Sequence, residues 1–82
     1  MSEKSKYVSA RALVILAEAK YPITTAQILG KIIETSEENP PPGSIVKKDV
    51  NSVMYALKGE KIQIHTDFKP PSWSLIGKFN FA

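Results

Sequence analysis

Hydrophobic residues recur at three- and four-residue steps in three stretches of this chain, and at every second position in a fourth. Over about residues 5–20, Val8, Ala12, Leu13, Ile15, Leu16 and Ala19 form one stripe while Arg11, Glu18 and Lys20 fall elsewhere. That is the pattern of an amphipathic helix, stopped at Tyr21 and Pro22. Thr24 or Thr25 suits the cap of a second, shorter helix, in which Ala26, Ile28, Leu29, Ile32 and Ile33 run on to about Glu34. The stretch TSEENPPPGS, residues 35–44, must be a loop, because three successive prolines supply no N–H to a helix or a central strand. Val46, Val50, Val53, Met54 and Leu57 then mark a third helix over roughly residues 45–58, and Gly59 suits a left-handed cap at its end. In KIQIHT, Ile62 and Ile64 alternate with Gln63 and His65, as in a half-buried strand. WSLI, residues 73–76, is a second candidate strand, with DFKPPS as the connection.

Three helices followed by a β-hairpin is an α+β order, the one a winged helix-turn-helix requires, with a third helix able to enter a groove and a hairpin wing beside it. A three-helix bundle with a loose tail is the other arrangement, and the alternation at 62–65 weighs against it. A chain of 82 residues has room for one domain, residues 1–82, with a modest core over about 8–76. At 43% apolar and 23% charged residues, it is expected to fold unaided. With no cysteine and a single histidine, no disulfide, metal site or cofactor is expected. The apolar run 12–17 is too short to span a bilayer and nothing resembles a secretion signal, so the expectation is an intracellular protein with no membrane partner.

Charge changes the picture through its placement. Residues 1–43 balance five cationic against five anionic side chains, while residues 44–82 hold six lysines against Asp49, Glu60 and Asp67, so the net +3 lies in the second half. A localised basic surface suits a polyanion, and equally an ordinary solvated face. With Val46, Val50, Val53 and Leu57 buried, the third helix turns Lys47, Asn51 and Tyr55 outward at four-residue steps, with Lys48 and Ser52 beside them. Ammonium groups neutralise phosphate, an asparagine amide donates and accepts, and a tyrosine ring offers a flat apolar face. Taken singly, Tyr55 and Trp73 each read as a packing residue ahead of a ligand contact. Catalysis is not expected: Ser74 and His65 have no motif around them, no glycine-rich phosphate loop is present, and the carboxylates are dispersed.

Two stretches together carry a resemblance. KKDVNSVMYAL, residues 47–57, followed at a distance by PPSW, residues 70–73, resembles the Zα domain, the winged helix that binds left-handed Z-form DNA and RNA. The resemblance covers about residues 8–76. It implies that Asn51 and Lys47 hold phosphates directly or through water, that Lys48 assists, and that Tyr55 meets a base in the syn conformation. It further implies that Trp73 braces Tyr55 edge to face and that Pro70 and Pro71 press on the sugar-phosphate chain. The partner so implied is a double-stranded nucleic acid in the Z conformation, with two copies of the domain often found on one duplex. This sequence departs from the pattern at Ser52, where the family often has arginine, and at Lys69, where it often has a small hydroxyl residue. A weaker phosphate contact is expected at Ser52, with Lys69 returning charge from the wing. The loop at 35–44 is also longer and more acidic than the family's usual connection.

Two other readings stay open. A conventional winged helix reads B-DNA in the major groove, for which the third helix offers only Asn51 as a bidentate base reader. A winged-helix protein-interaction module would use Tyr55, Trp73 and Phe68 as an aromatic anchor patch. Phe79 and Phe81 are expected to dock on a partner or to cover the core.

Overall fold

The first helix, α1, spans Glu3–Glu18, two residues earlier at each end than the hydrophobic pattern predicts. The computed structural model describes residues 2–79. The early start follows from Ser2, whose hydroxyl accepts the Ser5 N–H at 3.1 Å and caps the helix. The early end follows from two demands on the chain just beyond it. Lys78 Nζ donates to the carbonyls of Leu16, at 2.8 Å, and Ala17, satisfying acceptors that a longer helix would have used. Ala19 is already extended, leading to Ile23, which pairs with Trp73 in an isolated antiparallel bridge. Its two backbone bonds, Ile23 N–H to Trp73 O at 3.0 Å and Trp73 N–H to Ile23 O at 2.7 Å, add a one-residue third strand that no alternation foretells.

Helix α2, Thr25–Glu34, begins at a capping box. Thr24 Oγ1 accepts the Gln27 N–H at 3.1 Å, and Gln27 Oε1 accepts the Thr24 N–H at 2.9 Å. The cap is therefore Thr24, which leaves Thr25 free for another role. Residues 35–46 form no helix or strand, and Tyr7 anchors the segment by donating its hydroxyl to Asn39 O at 2.6 Å.

Helix α3, Lys47–Leu57, is narrower than the expected 45–58. Val46 sits at its N-cap and is 53% exposed, so the expectation that Val46 is buried is corrected: outside the helix, the helical period no longer places it inward. Valine has no group to cap with, so Asp49 Oδ2 reaches back to accept the Val46 N–H at 2.9 Å. Gly59, at φ +88°, makes the left-handed turn into the hairpin, a conformation costly to residues with a Cβ.

Strands β1, Ile62–His65, and β2, Ser72–Leu75, pair antiparallel with Ile62 opposite Leu75 and His65 opposite Ser72. The second strand thus begins one residue before the expected 73–76, and Ile76 falls outside it. The result is an α+β domain of three helices and a two-stranded antiparallel hairpin, compatible with a winged helix. Its core joins Val8, Ala12, Ile15 and Leu16 of α1 to Ile28 and Ile32 of α2, Val50, Val53 and Met54 of α3, and Ile62 and Trp73 of the hairpin. Leu57 is half-buried at the margin. Phe79 is half-buried, with Lys78 Nζ 5.5 Å from its ring centroid; Phe81 and the outermost parts of the expected domain lie outside the described residues. Among the described residues no helix is long and apolar enough to cross a membrane.

Candidate nucleic-acid interface

Burying Val50, Val53 and Met54 turns the opposite side of α3 to solvent. The side chains there meet the start of α2 and the wing across an open hollow of about 510 Å³. Lys47, Lys48, Asn51 and Tyr55 line it from α3, Thr24, Thr25 and Ala26 from α2, and Ile64, Pro70, Pro71 and Trp73 from the hairpin. Seven of the nine residues singled out in the sequence thus share one concave face. Its lining carries two ammonium groups and no carboxylate, so its potential is positive. Among the described residues neither the Lys47 nor the Lys48 ammonium is engaged in an ion pair or hydrogen bond.

Tyr55 and Trp73 divide the aromatic work between them. Trp73 is 2% exposed, and Tyr55 is 53% exposed. Their ring centroids are 5.2 Å apart with planes at 88°, the edge-to-face arrangement aromatic quadrupoles favour. The indole belongs to the core and Tyr55 is the ring that reaches solvent, held from behind. Lys58 Nζ lies 5.8 Å from the Tyr55 centroid, within range of a cation–π contact, and adds a cation that the sequence pattern did not single out.

Pro70 and Pro71 are exposed on the wing, and the Lys69–Pro70 peptide is cis. Lys69 is exposed beside them but does not line the hollow, and neither does Ser52. Ser52 instead faces a smaller cleft with Ser5, Val53, Ala56 and Leu57, on the side of α3 turned toward α1. Ser52 and Lys69 are both exposed, and neither lines the hollow that gathers the other seven. The basic second half also divides: Lys78 serves as a cap on α1, away from the hollow.

Sequence reasoning missed Thr25. This hydroxyl residue is only 8% exposed, accepts the Trp73 Nε1–H at 3.0 Å and donates to Asn51 Oδ1 at 3.3 Å. Its partners lie 26 and 48 residues away, so no local spacing signals it.

Comparison of the chain with protein-family models, with curated proteins and with solved structures returned no match.

Proposed function

We propose that this chain is a winged helix that binds double-stranded DNA or RNA in the left-handed Z form, reading the shape of the phosphate backbone and placing Tyr55 against a syn purine. The observation that carries the reading is the braced ring: a half-exposed tyrosine fixed edge to face by a buried tryptophan, in a hollow with two uncommitted lysines and an asparagine. A left-handed duplex has a zigzag phosphate path, so a rigid set of donors discriminates it by backbone geometry alone. Lys47, Lys48 and Asn51 are the phosphate contacts, and Pro70 and Pro71 present a wing surface whose φ angles are set in advance. Trp73 acts through Tyr55 and does not itself reach the ligand.

The competing readings lose ground on the same geometry. Bidentate recognition of adenine by Asn51 requires its carbonyl and amide to face the base together, and one of the carbonyl's two lone pairs already accepts from Thr25 on α2. An aromatic protein-docking patch of Tyr55, Trp73 and Phe68 lacks its central member, because Trp73 is buried. No catalytic role is proposed.

Binding only the left-handed state shifts a mixed population toward it. Circular dichroism of an alternating cytosine–guanine duplex titrated with protein is therefore expected to pass from the right-handed to the left-handed spectrum. A spectrum that stays right-handed at saturation rejects the reading. Affinity is expected to fall steeply as salt rises, which an aromatic protein interface does not do.

A further inference from the structure

Thr25 joins the two halves of the hollow. It is the first residue of α2, it is nearly buried, and its single hydroxyl touches the indole of Trp73 and the amide of Asn51. The direction of the first bond follows from chemistry, and that of the second from which end of the amide faces the hydroxyl. An indole N–H can only donate, so Thr25 Oγ1 accepts from Trp73. The one hydroxyl proton then remains to be placed, and the group within reach is the Asn51 side chain at 3.3 Å. The hydroxyl oxygen keeps a second lone pair that an amide NH₂ would also satisfy, but the structure sets Asn51 Oδ1 opposite it, so the proton runs from Thr25 to the carbonyl oxygen. The NH₂ end, which only donates, is left for the ligand. Among the described residues it has no other partner.

We infer that Thr25 is a positioning residue that orients the Asn51 amide so that its NH₂ meets a phosphate oxygen. The proton order Trp73 to Thr25 to Asn51 makes the exposed end of the amide complementary to an anion and mismatched to any donor. The same hydroxyl fixes the plane of the indole whose edge or face holds Tyr55, 5.2 Å between centroids. Two groups that touch the ligand from α3 are therefore set by one group on α2, and an exposed side chain enters binding with its rotamer already chosen. This inference rests on the phosphate-binding reading of the hollow given above.

The test uses the full chain and an alternating cytosine–guanine duplex, with affinity measured by fluorescence anisotropy. Thr25→Ser keeps the hydroxyl and is expected to bind within about twofold of the parent, whereas Thr25→Val, which keeps the shape, is expected to bind about tenfold more weakly, the scale of one hydrogen bond. In an Asn51→Ala background, Thr25→Val is expected to cost clearly less than it does in the parent. Equal costs in the two backgrounds, or a Thr25→Val variant that binds like the parent, would overturn the inference. Asn51→Asp supplies an arm that does not depend on the folding of Thr25→Val. A carboxylate still accepts the Thr25 proton but turns a negative oxygen outward, so binding is expected to fall more than tenfold at unchanged stability. Parental affinity in Asn51→Asp overturns the inference too. NMR of the free protein separates the two levels of argument. The Asn51 side-chain amide and the lone indole N–H resonance should both shift in Thr25→Val and hold in Thr25→Ser. If they do so while the parent binds no duplex, the Z-form reading fails and the proton order stands. If the Asn51 amide does not respond, the proton order itself is wrong.

Discussion

On the wing side of α3, Asn51 and Tyr55 end in contacts with nearly buried partners, Thr25 and Trp73. On the α1 side, Ser52 faces a small cleft beside Ser5, and Asp49 is paired with Lys4 Nζ at 3.6 Å, with Lys4 43% exposed. Both flanks are polar and both belong to one eleven-residue helix. They differ in what lies behind them. A solvent-facing group with a buried partner has lost its rotamer freedom on folding, and loses little more when a ligand arrives. Lys4 is held only by Asp49, which in turn is fixed by the Val46 N–H, so the lysine keeps most of that freedom and its contact is screened by salt. On the binding reading proposed above, this face should be strongly polarised, with its specificity on the wing flank and a modest electrostatic contribution at most on the other.

The severest way to break this contrast is to remove the brace. Trp73→Ala deletes a core side chain that also holds Tyr55, and large-to-small aromatic changes in cores cost about 3–5 kcal/mol. Such a loss is a large part of the stability of a small domain, and urea denaturation should show a greatly lowered midpoint. An unchanged midpoint means that the wing flank is not built on the core.

Next in size come the exposed groups themselves. Tyr55→Ala and Asn51→Ala are each expected to abolish or sharply weaken conversion of the duplex, read by circular dichroism, while destabilising the fold by no more than about 1 kcal/mol. The two measurements must separate for these residues and coincide for Trp73. Parental activity in both variants removes the site.

This polarity was half legible in the chain. The α3 stripe was readable because a helical period predicts the exposed face once the buried one is known, and Val50, Val53 and Met54 are indeed buried. The hairpin was readable from alternation at 62–65. Thr25 was not, because a threonine at a helix start looks like a cap, and the neighbouring Thr24 takes that place. Nor was the Ile23–Trp73 bridge, since a single paired residue has no period. Lys78 counted toward a basic half until a contact spanning 62 residues assigned it to the end of α1. Position 52 shows how coarse the period is: a helix turns about 100° per residue, so neighbours on one exposed face can line different hollows. Ser52 and Asn51 consequently line different hollows.

That separation makes the α1 flank a place where binding can be added without disturbing the brace. Ser52→Arg puts a cation on an exposed helical position, where the stability change should stay within about 0.5 kcal/mol. If the new side chain reaches one more phosphate, the slope of log affinity against log salt should steepen by up to about 0.9, with a gain of a few fold at low salt. A large gain that persists at high salt argues for a fixed contact there, and blurs the contrast between the flanks.

The smallest effect is expected from Lys4→Ala, and it bears most directly on what holds the α1 flank. Removing the ammonium leaves Asp49 its other partner, the Val46 N–H at 2.9 Å, and its place in the first turn of α3, where the helix dipole favours a carboxylate. The pair itself is partly exposed, and pairs of that kind contribute about 0–1 kcal/mol. Unfolding free energies from urea denaturation of Lys4→Ala and the parent should agree within about 0.5 kcal/mol, with the gap closing as salt is raised. Duplex affinity should change by less than twofold, since one exposed charge is lost outside the hollow. A salt-insensitive loss well above 1 kcal/mol means that the first turn of α1 braces α3 as firmly as the tryptophan does. The two flanks would then differ in chemistry alone and not in rigidity.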